Sequence, residues 1–335
     1  MTSSATTTAD SSRSSSLVAV GGFFRREGWL LGLSGLLVLL LLFTKYIQPN
    51  YDATGLQSLA INVLPLALAS VAQAIIVIAG GIDLSLGSII ALASVVAATQ
   101  FQGKSPEVTI GVAVAIVILG LAIGAVNGIV TVATRVADII VTLAMSFVWA
   151  GAALLVLRAP GGFAPPWLIS IVSGSIGADF IPKAAIVLLV VVGIIWIPLR
   201  RSRIGLTMYA VGSNQLAAFR SGVSVGRAKV IAYAVGGLFA ALAGLAVVAT
   251  TTHGDPLPGG YTLTSVAAVV LGGVSLAGGR GGVLGPIIAV MILAQIRTDM
   301  TFMSLNPNLA TVAQGAILIG VVMIGSLAQM RRVRA

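Results

Sequence analysis

Residues 109–133 read TIGVAVAIVILGLAIGAVNGIVTVA, an unbroken stretch without a single charged side chain. About 20 apolar residues in an α-helix are enough to cross the ~30 Å hydrocarbon core of a bilayer. The apolar residues follow one another continuously, whereas a transmembrane β-strand alternates apolar and polar positions over about ten residues. This stretch therefore predicts a membrane-spanning α-helix.

The composition of the whole chain agrees with this stretch. Of its 335 residues, 58% are hydrophobic and 8% are charged, and the mean hydropathy is +1.08. A soluble domain has about 25% charged residues, so a water-exposed globular protein is excluded, and disorder is excluded for the same reason. The chain has no cysteine and one histidine, which excludes disulfides, Fe–S clusters and a His-rich metal site.

Similar apolar segments recur along the chain and define the predicted fold class, an all-α polytopic integral membrane protein with about ten transmembrane helices. Residues 1–28, rich in Ser and Thr, are predicted to be a disordered cytoplasmic tail, and residues 29–335 a single transmembrane domain. The ten predicted spans are 30–47, 56–79, 84–100, 109–133, 139–157, 184–199, 229–251, 263–277, 282–297 and 310–329.

The distribution of basic residues predicts the orientation. If the N-terminus is cytoplasmic, 14 of the 19 Lys and Arg residues fall in inside segments and 5 in outside segments. Lys and Arg are concentrated in cytoplasmic loops of membrane proteins. We therefore expect both termini in the cytoplasm, and we interpret the net charge of +10 as a topological signal rather than a sign of nucleic-acid binding.

Catalytic motifs are missing from the sequence. The Gly-rich run 278–282, GGRGG, lacks the Lys and the Ser/Thr of a phosphate-binding P-loop. We find no paired carboxylates, no Ser-His-Asp set and no cluster of metal ligands. The sequence therefore predicts a protein that is not an enzyme and that needs no cofactor.

Two Gly-rich segments interrupt the apolar pattern. They are 80–91, GGIDLSLGSIIA, and 272–289, GGVSLAGGRGGVLGPIIA, and the span that precedes the second has only 15 residues, about 22 Å of helix. Interrupted spans usually line a transport path, although ordinary tight turns would give the same pattern. On the first interpretation, the path or gate residues are Gly80, Gly81, Asp83, Ser85, Gly272 and Gly273, together with the intramembrane amides Gln73 and Asn127.

Asp83 and the amides each have a simpler explanation as well. Asp83 can cap the helix that follows it, line a gate, or relay protons. The amides Gln73, Asn127, Gln295 and Gln314 can form hydrogen bonds between helices, or they can line a path for a hydroxyl-rich solute.

The basic segment 200–228 contains a short predicted helix. Ser213 or Asn214 can cap its start, and Gly222 can end it in the left-handed conformation. Leu216 and Phe219 are three residues apart and share a face. Such a helix either binds a partner protein or lies on the membrane interface with its basic flanks on lipid headgroups, and the residues alone favour neither.

Four patches resemble the membrane permease subunit of bacterial ABC importers for monosaccharides, the ribose-type branch. They are 80–88 (GGIDLSLGS), 124–128 (GAVNG), 209–223 (YAVGSNQLAAFRSGV) and 272–279 (GGVSLAGG), and the resemblance extends from about residue 55 to the C-terminus. It implies a path for a monosaccharide or a similar polyhydroxylated solute across the bacterial inner membrane. The implied partners are two cytoplasmic ATP-binding subunits with P-loops, an external sugar-binding protein, and a second permease in a homodimer or heterodimer.

The resemblance also assigns a role to the segment 200–228, which becomes the coupling loop that docks on the ATPase. The coupling residues it implies are Ser213, Asn214, Leu216, Ala217, Ala218, Phe219, Arg220 and Gly222. Leu216 stands where such importers carry a Glu, so a contact made by that Glu is not expected here. The alternative function is a stand-alone secondary transporter driven by protons or ions, for which Asp83 is the candidate carboxylate.

Overall fold

The computed structural model describes residues 10–257 and 259–306 and single positions between 309 and 323, with side chains from residue 28 on except 178. The helices of the first half are α1 (Asp10–Ile47), α2 (Ala53–Ile78), α3 (Leu86–Phe101), α4 (Pro106–Thr134), α5 (Asp138–Val156) and α6 (Pro166–Val172). A two-stranded antiparallel sheet follows, β1 (Ser175–Ile176) with β2 (Ala178–Pro182). The later helices are α7 (Lys183–Arg201), α8 (Arg203–Ser213), α9 (Gln215–Arg220), α10 (Val225–Thr251), α11 (Tyr261–Leu271) and α12 (Leu284–Phe302).

The predicted all-α polytopic membrane fold is confirmed. Within the described residues, seven helices are long and apolar enough to cross a bilayer, and α3 and α11 are shorter apolar helices. Each of the first nine predicted spans overlaps one of these helices. The tenth, 310–329, falls where the structure describes only scattered positions, and Gln314 lies outside the described residues.

Two predicted boundaries differ from those observed. Helix α1 begins at Asp10, so a helix occupies much of the segment 1–28 that we expected to be disordered. The chain has no proline before Pro49, and nothing therefore interrupts the helix upstream of the apolar run. At the other end of the chain, α12 continues to Phe302, five residues beyond the predicted limit, which moves Asp299 into the helix.

Helix α2 is the centre of the bundle. In the most apolar 18-residue stretch of α2, 83% of the residues are buried, whereas the corresponding values are 17% for α5 and 11% for α1. The exposed apolar side chains of α5 suit contact with lipid, whereas those of α2 are covered by other helices.

Glycines bring α4 and α10 into close contact. A Cβ atom on Gly124 would lie 2.1 Å from the carbonyl oxygen of Tyr233, and one on Gly237 would lie 2.1 Å from that of Gly120. Small residues allow membrane helices to approach until their backbones touch. The patch around Gly124 therefore has a packing function.

The bundle has two distinct ends. The end that we call the α9 end holds α8, α9, the C-terminus of α2 and the N-terminus of α10. The opposite end, the cavity end, holds the N-terminus of α2, the C-termini of α10 and α12, and the segment 252–257. Helix α11 runs from the cavity end to Leu271, where the segment 272–283 begins.

Candidate functional site

A cavity of about 740 Å³ opens at the cavity end, between α2, α3, α10, α11 and α12. Its wall is rich in neutral polar groups, since Thr54, Ser58, Asn62, Ser94, Thr264 and Thr298 all line it. Among the described residues of the wall, Asp255 and Arg297 are the charged ones. Hydroxyl and amide groups donate and accept hydrogen bonds without fixing a charge, so the wall suits a neutral polar solute.

The segment 252–257 is held against α3 and closes one side of this cavity. The hydroxyl of Ser94 donates to the carbonyl oxygen of Asp255 at 3.1 Å and accepts from its backbone N–H at 3.2 Å. Gly254 and Gly161 exchange two backbone hydrogen bonds, of 2.8 and 3.0 Å. These bonds fix the position of Asp255 at the wall.

Four glycines meet at the α9 end, and we call this contact the glycine junction: Gly80, Gly212, Gly278 and Gly279. A Cβ atom on Gly212 would fall 1.9 Å from the carbonyl oxygen of Ile78 and 2.5 Å from the backbone nitrogen of Gly279. The Gly279 N–H donates to Ile78 O at 2.9 Å. The junction thus joins the end of α8 to both interrupted hairpins.

Helix α8 carries a second link to the segment 272–283. The hydroxyl of Tyr209 donates to the carbonyl oxygen of Gly281 at 2.7 Å. Burial raises the pKa of the Tyr209 phenol, which keeps it in the donating form. Helix α8 and the second hairpin are therefore tied at two points.

Helix α9 has the caps expected from its sequence. Asn214 rather than Ser213 occupies the N-cap position, and its side chain accepts from the Ala217 N–H at 2.9 Å. Gly222 follows the helix with φ 81°, and the Val223 N–H donates to Ala218 O at 3.0 Å. Because both ends are satisfied by local bonds, six residues can hold a helical turn at the surface.

The coupling residues implied by the resemblance divide between two faces of α9. Leu216 and Phe219 are 60% and 67% exposed, and Arg220 is exposed as well. Ala218 is buried against Val211 and Ala228. Leu216 and Phe219 therefore point away from the bundle, whereas Ala218 anchors α9 against α8 and α10.

Asp83 lies inside the protein and binds the turn that precedes α3. Its Oδ1 accepts from the backbone N–H and the hydroxyl of Ser85, at 2.7 and 2.6 Å. The Asn127 amide donates to the Ser85 hydroxyl at 2.7 Å, and Trp149 Nε1 donates to Asn127 Oδ1 at 3.0 Å. The helix starts at Leu86 rather than at Leu84, so Asp83 precedes the N-cap position, which Ser85 occupies.

A salt bridge stands beside this turn. Lys229, on the first turns of α10, lies 3.1 Å from Asp138 Oδ1 at the start of α5. The Tyr233 hydroxyl lies 3.1 Å from Asp138 Oδ2 and 3.2 Å from the carbonyl oxygen of Ile82. Asp138 therefore pairs with a cation rather than capping α5 with its side chain.

The path residues expected from sequence lie apart from the cavity. None of Gly80, Gly81, Asp83, Ser85, Gln73, Asn127, Gly272 and Gly273 belongs to the described wall. Gly80 belongs to the glycine junction, and Gly273, with φ 78°, stands against the ring of Trp29. Gln73 is fully buried, and both polar atoms of its amide are without a partner in the described part of the chain.

The wall residues that sequence reasoning missed carry a signal of their own. Thr54, Ser58 and Asn62 recur every four residues on α2, which places them on one face of the helix. A polar stripe on an apolar helix faces protein or a wet cavity. The stripe could have been found from the sequence.

Apolar helices around a polar cavity, with interrupted hairpins beside it, define a multi-pass membrane protein of the transport class. The sequence profile of a family described as branched-chain amino acid transport system / permease component matches residues 55–325. The match covers most of the chain, and the protein belongs to this family of permease components.

Several relatives resemble the chain over most of its length. Ribose import permease protein RbsC of Escherichia coli (strain K12) is 31% identical over 320 residues, covering 90% of this chain and 96% of the relative. The protein of the same name from Bacillus subtilis (strain 168) is 31% identical over 313 residues, covering 90% and 93%. D-allose transport system permease protein AlsC of E. coli (strain K12) is 29% identical over 255 residues, covering 75% and 77%. No solved structure matches the chain.

Proposed function

We propose that this chain is the membrane subunit of an ATP-driven importer and carries a monosaccharide, or a similar neutral polyhydroxylated solute, across the bilayer. The observation that carries the proposal is the cavity wall, in which hydroxyl and amide groups greatly outnumber charged ones. Such groups can replace the water around a sugar without holding it as an ion pair would. Relatives named for ribose and D-allose support the same solute class.

The energy would come from another subunit. The sequence carries no P-loop, and α9 offers a contact through which an ATPase can act. Its exposed pair, Leu216 and Phe219, fits an apolar groove, while Arg220 lies at the edge of the same turn. We propose that the segment 200–228 is the coupling loop and that two cytoplasmic ATP-binding subunits dock on α9 of the assembled permease.

The orientation follows from the same assignment. We propose that both termini and the α9 end face the cytoplasm of a bacterial cell and that the protein lies in the inner membrane. The α9 end includes Arg200, Arg201, Arg203, Arg220 and Arg227, in agreement with the positive-inside rule. The cavity then opens outward, where an extracytoplasmic sugar-binding protein would deliver the solute.

The pore would be completed by a second permease, either another copy of this chain or a close relative. We propose that the glycine junction and the two interrupted hairpins close the path at the α9 end. The gate residues on this proposal are Gly80, Gly81, Asp83, Ser85, Gly272 and Gly273, with Gln73 and Asn127 buried behind them.

Reconstitution tests this function. Proteoliposomes would contain the chain and a P-loop ATPase subunit, with a sugar-binding protein and labelled ribose on the side of the cavity. We expect uptake with ATP on the α9 side and none with ADP, and ionophores that collapse ion gradients should leave it unchanged. Uptake by the chain alone under an imposed proton or sodium gradient would instead identify a secondary transporter.

The absence of cysteine makes the orientation directly testable. Single cysteines at the exposed positions Phe180 and Arg220 can be labelled in intact cells with a maleimide that does not cross membranes. We expect labelling at position 180 and protection at position 220 until the cells are opened. The reverse pattern would refute the proposed orientation.

A further inference from the structure

Helices α1 and α12 end side by side at the cavity end. Thr44 lies in the last turn of α1, Asp299 lies in the last turn of α12, and Thr44 Oγ1 is 2.5 Å from Asp299 Oδ1. Gln295, one turn earlier on α12, places its Nε2 2.5 Å from Thr44 Oγ1 and 3.2 Å from Asp299 Oδ1. The three side chains form one buried cluster between the two helices.

This cluster holds oxygen atoms that bind nothing in the described part of the chain. Asp299 is 5% exposed and Gln295 is fully buried, yet Asp299 Oδ2 and Gln295 Oε1 have no hydrogen-bond partner there. The hydroxyl of Tyr51 is buried beside Gln295. Burial raises the pKa of Tyr51, so its hydroxyl stays neutral.

The charges that meet in the cluster are negative. The C-terminal end of a helix carries a partial negative charge, and here two such ends meet at a carboxylate. Among the described residues, the salt bridge found is the one between Lys229 and Asp138, at the opposite end of the bundle. The Nζ of nearby Lys45 donates its hydrogen bonds to the carbonyl oxygens of Pro49 and Tyr51 instead.

Arg297 does not supply the missing charge. It is exposed and lines the cavity, and Asp299, two residues further along α12, is buried against α1. A buried carboxylate without a counter-charge is strongly unfavourable in a protein interior. The cluster therefore calls for a positive occupant from solution.

We infer that Asp299, Gln295, Tyr51 and Thr44 bind one monovalent metal cation, sodium or potassium, at the junction of α1 and α12. The available ligands are all oxygens, which hard cations prefer. One carboxylate balances one positive charge, whereas protein sites for calcium usually provide several carboxylates. Helix C-terminal ends hold alkali cations in other membrane proteins.

The bound cation would fasten α1 to the helix that forms one wall of the cavity. Thr298 and Arg297 face the cavity from the same turn of α12 that carries Asp299. The cation is a structural element and drives no transport, so the inference stands whether or not the proposed solute is correct.

Thermal unfolding of the purified full chain in detergent tests the site. Sodium or potassium chloride would replace choline chloride at constant ionic strength, so that only the identity of the cation changes. We expect a saturable rise in Tm of about 2 °C or more with at least one metal cation. Equilibrium binding of radioactive sodium or rubidium should approach about one ion per chain.

Variants separate the site from general salt effects. Asp299→Asn keeps the size of the side chain, and it should abolish both the Tm rise and the ion binding. Tyr51→Phe removes one oxygen and should raise the half-saturating concentration several-fold. Asp52→Asn is the matched control, since it removes an exposed carboxylate next to Tyr51 and leaves an equally good N-cap for α2.

The inference is overturned if choline, sodium and potassium give the same Tm and no ion binds. In that case a proton or a water molecule satisfies Asp299. It is also overturned if Asp299→Asn retains the cation response of the unmodified chain.

Discussion

The backbone N–H of Gly279 donates a hydrogen bond of 2.9 Å to the carbonyl oxygen of Ile78. This bond joins the loop after α11 to the last residue of α2, so the two interrupted hairpins share one contact. Gly212, near the end of α8 and immediately before α9, packs against the same carbonyl oxygen of Ile78. Helix α8, which leads directly into α9, therefore contacts both hairpins, as the proposed coupling role of α9 requires.

Gly212→Ala should impair the coupling between α9 and the hairpins. The new methyl group would lie 1.9 Å from Ile78 O and 2.5 Å from the Gly279 nitrogen, and both neighbours are backbone atoms that cannot rotate away. Overpacking of this kind typically costs about 1–3 kcal/mol. We expect a loss of ATP-driven uptake of about tenfold or more, a factor that corresponds to 1.4 kcal/mol.

The control for Gly212 is Gly151→Ala on α5, where an added methyl group meets nothing within 4 Å. Uptake by this variant should match that of the unmodified chain. Normal uptake by Gly212→Ala would show that the junction relaxes without consequence.

Phe219→Ala should weaken the binding of the ATPase subunit. An aromatic anchor at the centre of an interface contributes about 2 kcal/mol or more, roughly a thirty-fold change in affinity. Binding of the purified ATPase to the chain in nanodiscs measures the change directly. The fold should be unaffected, because the ring is 67% exposed.

Leu206→Ala provides the comparison for Phe219, since Leu206 is 64% exposed on neighbouring α8. Its ATPase binding should stay within about twofold of the unmodified chain. If both variants bind normally, α9 is a membrane-surface helix and the coupling assignment is wrong.

Asn62→Leu should reduce uptake through its effect on the cavity. The substitution keeps the branched outline of the side chain and removes an amide from the polar stripe of α2. The loss of one or two hydrogen bonds to a solute costs about 1–3 kcal/mol, so uptake should fall by about tenfold or more. ATPase binding should remain normal, which separates this effect from that of Phe219→Ala.

The control for Asn62→Leu is Gln102→Leu. Gln102 also carries an amide, but it is exposed beyond the end of α3 and lies away from the cavity wall. Gln102→Leu should transport normally. A wild-type uptake rate in Asn62→Leu would mean that the solute does not pass along this wall.

Lys229→Met should destabilise the protein more than the double variant Lys229→Met/Asp138→Asn. Both side chains of the pair are 14% exposed, so removing the cation alone leaves a largely buried carboxylate without a counter-charge. Breaking such a pair costs about 3–5 kcal/mol, whereas removing both charges is often nearly neutral. Thermal unfolding of the two variants measures the difference, and equal Tm values would show that the pair is solvated.

Local features of this protein could be read from the sequence alone. The apolar segments predicted nine of the helices that the structure describes, because insertion into a bilayer depends on the hydropathy of about 20 consecutive residues. The caps of α9 were predictable for a similar reason, since Asn214 and Gly222 act on backbone groups within a few residues. The polar stripe at Thr54, Ser58 and Asn62 was also within reach of the helical period.

Contacts between distant segments were decided by the tertiary structure. The sequence contains forty glycines, and nothing in their local surroundings indicates that Gly80, Gly212 and Gly279 meet at one point. Asp299 lies beyond the predicted span 282–297, and it is a buried carboxylate because α12 extends to Phe302 and packs on α1. The physical reason is that hydropathy and caps act along the chain, whereas cavities, close glycine contacts and the burial of a charge depend on which helices become neighbours.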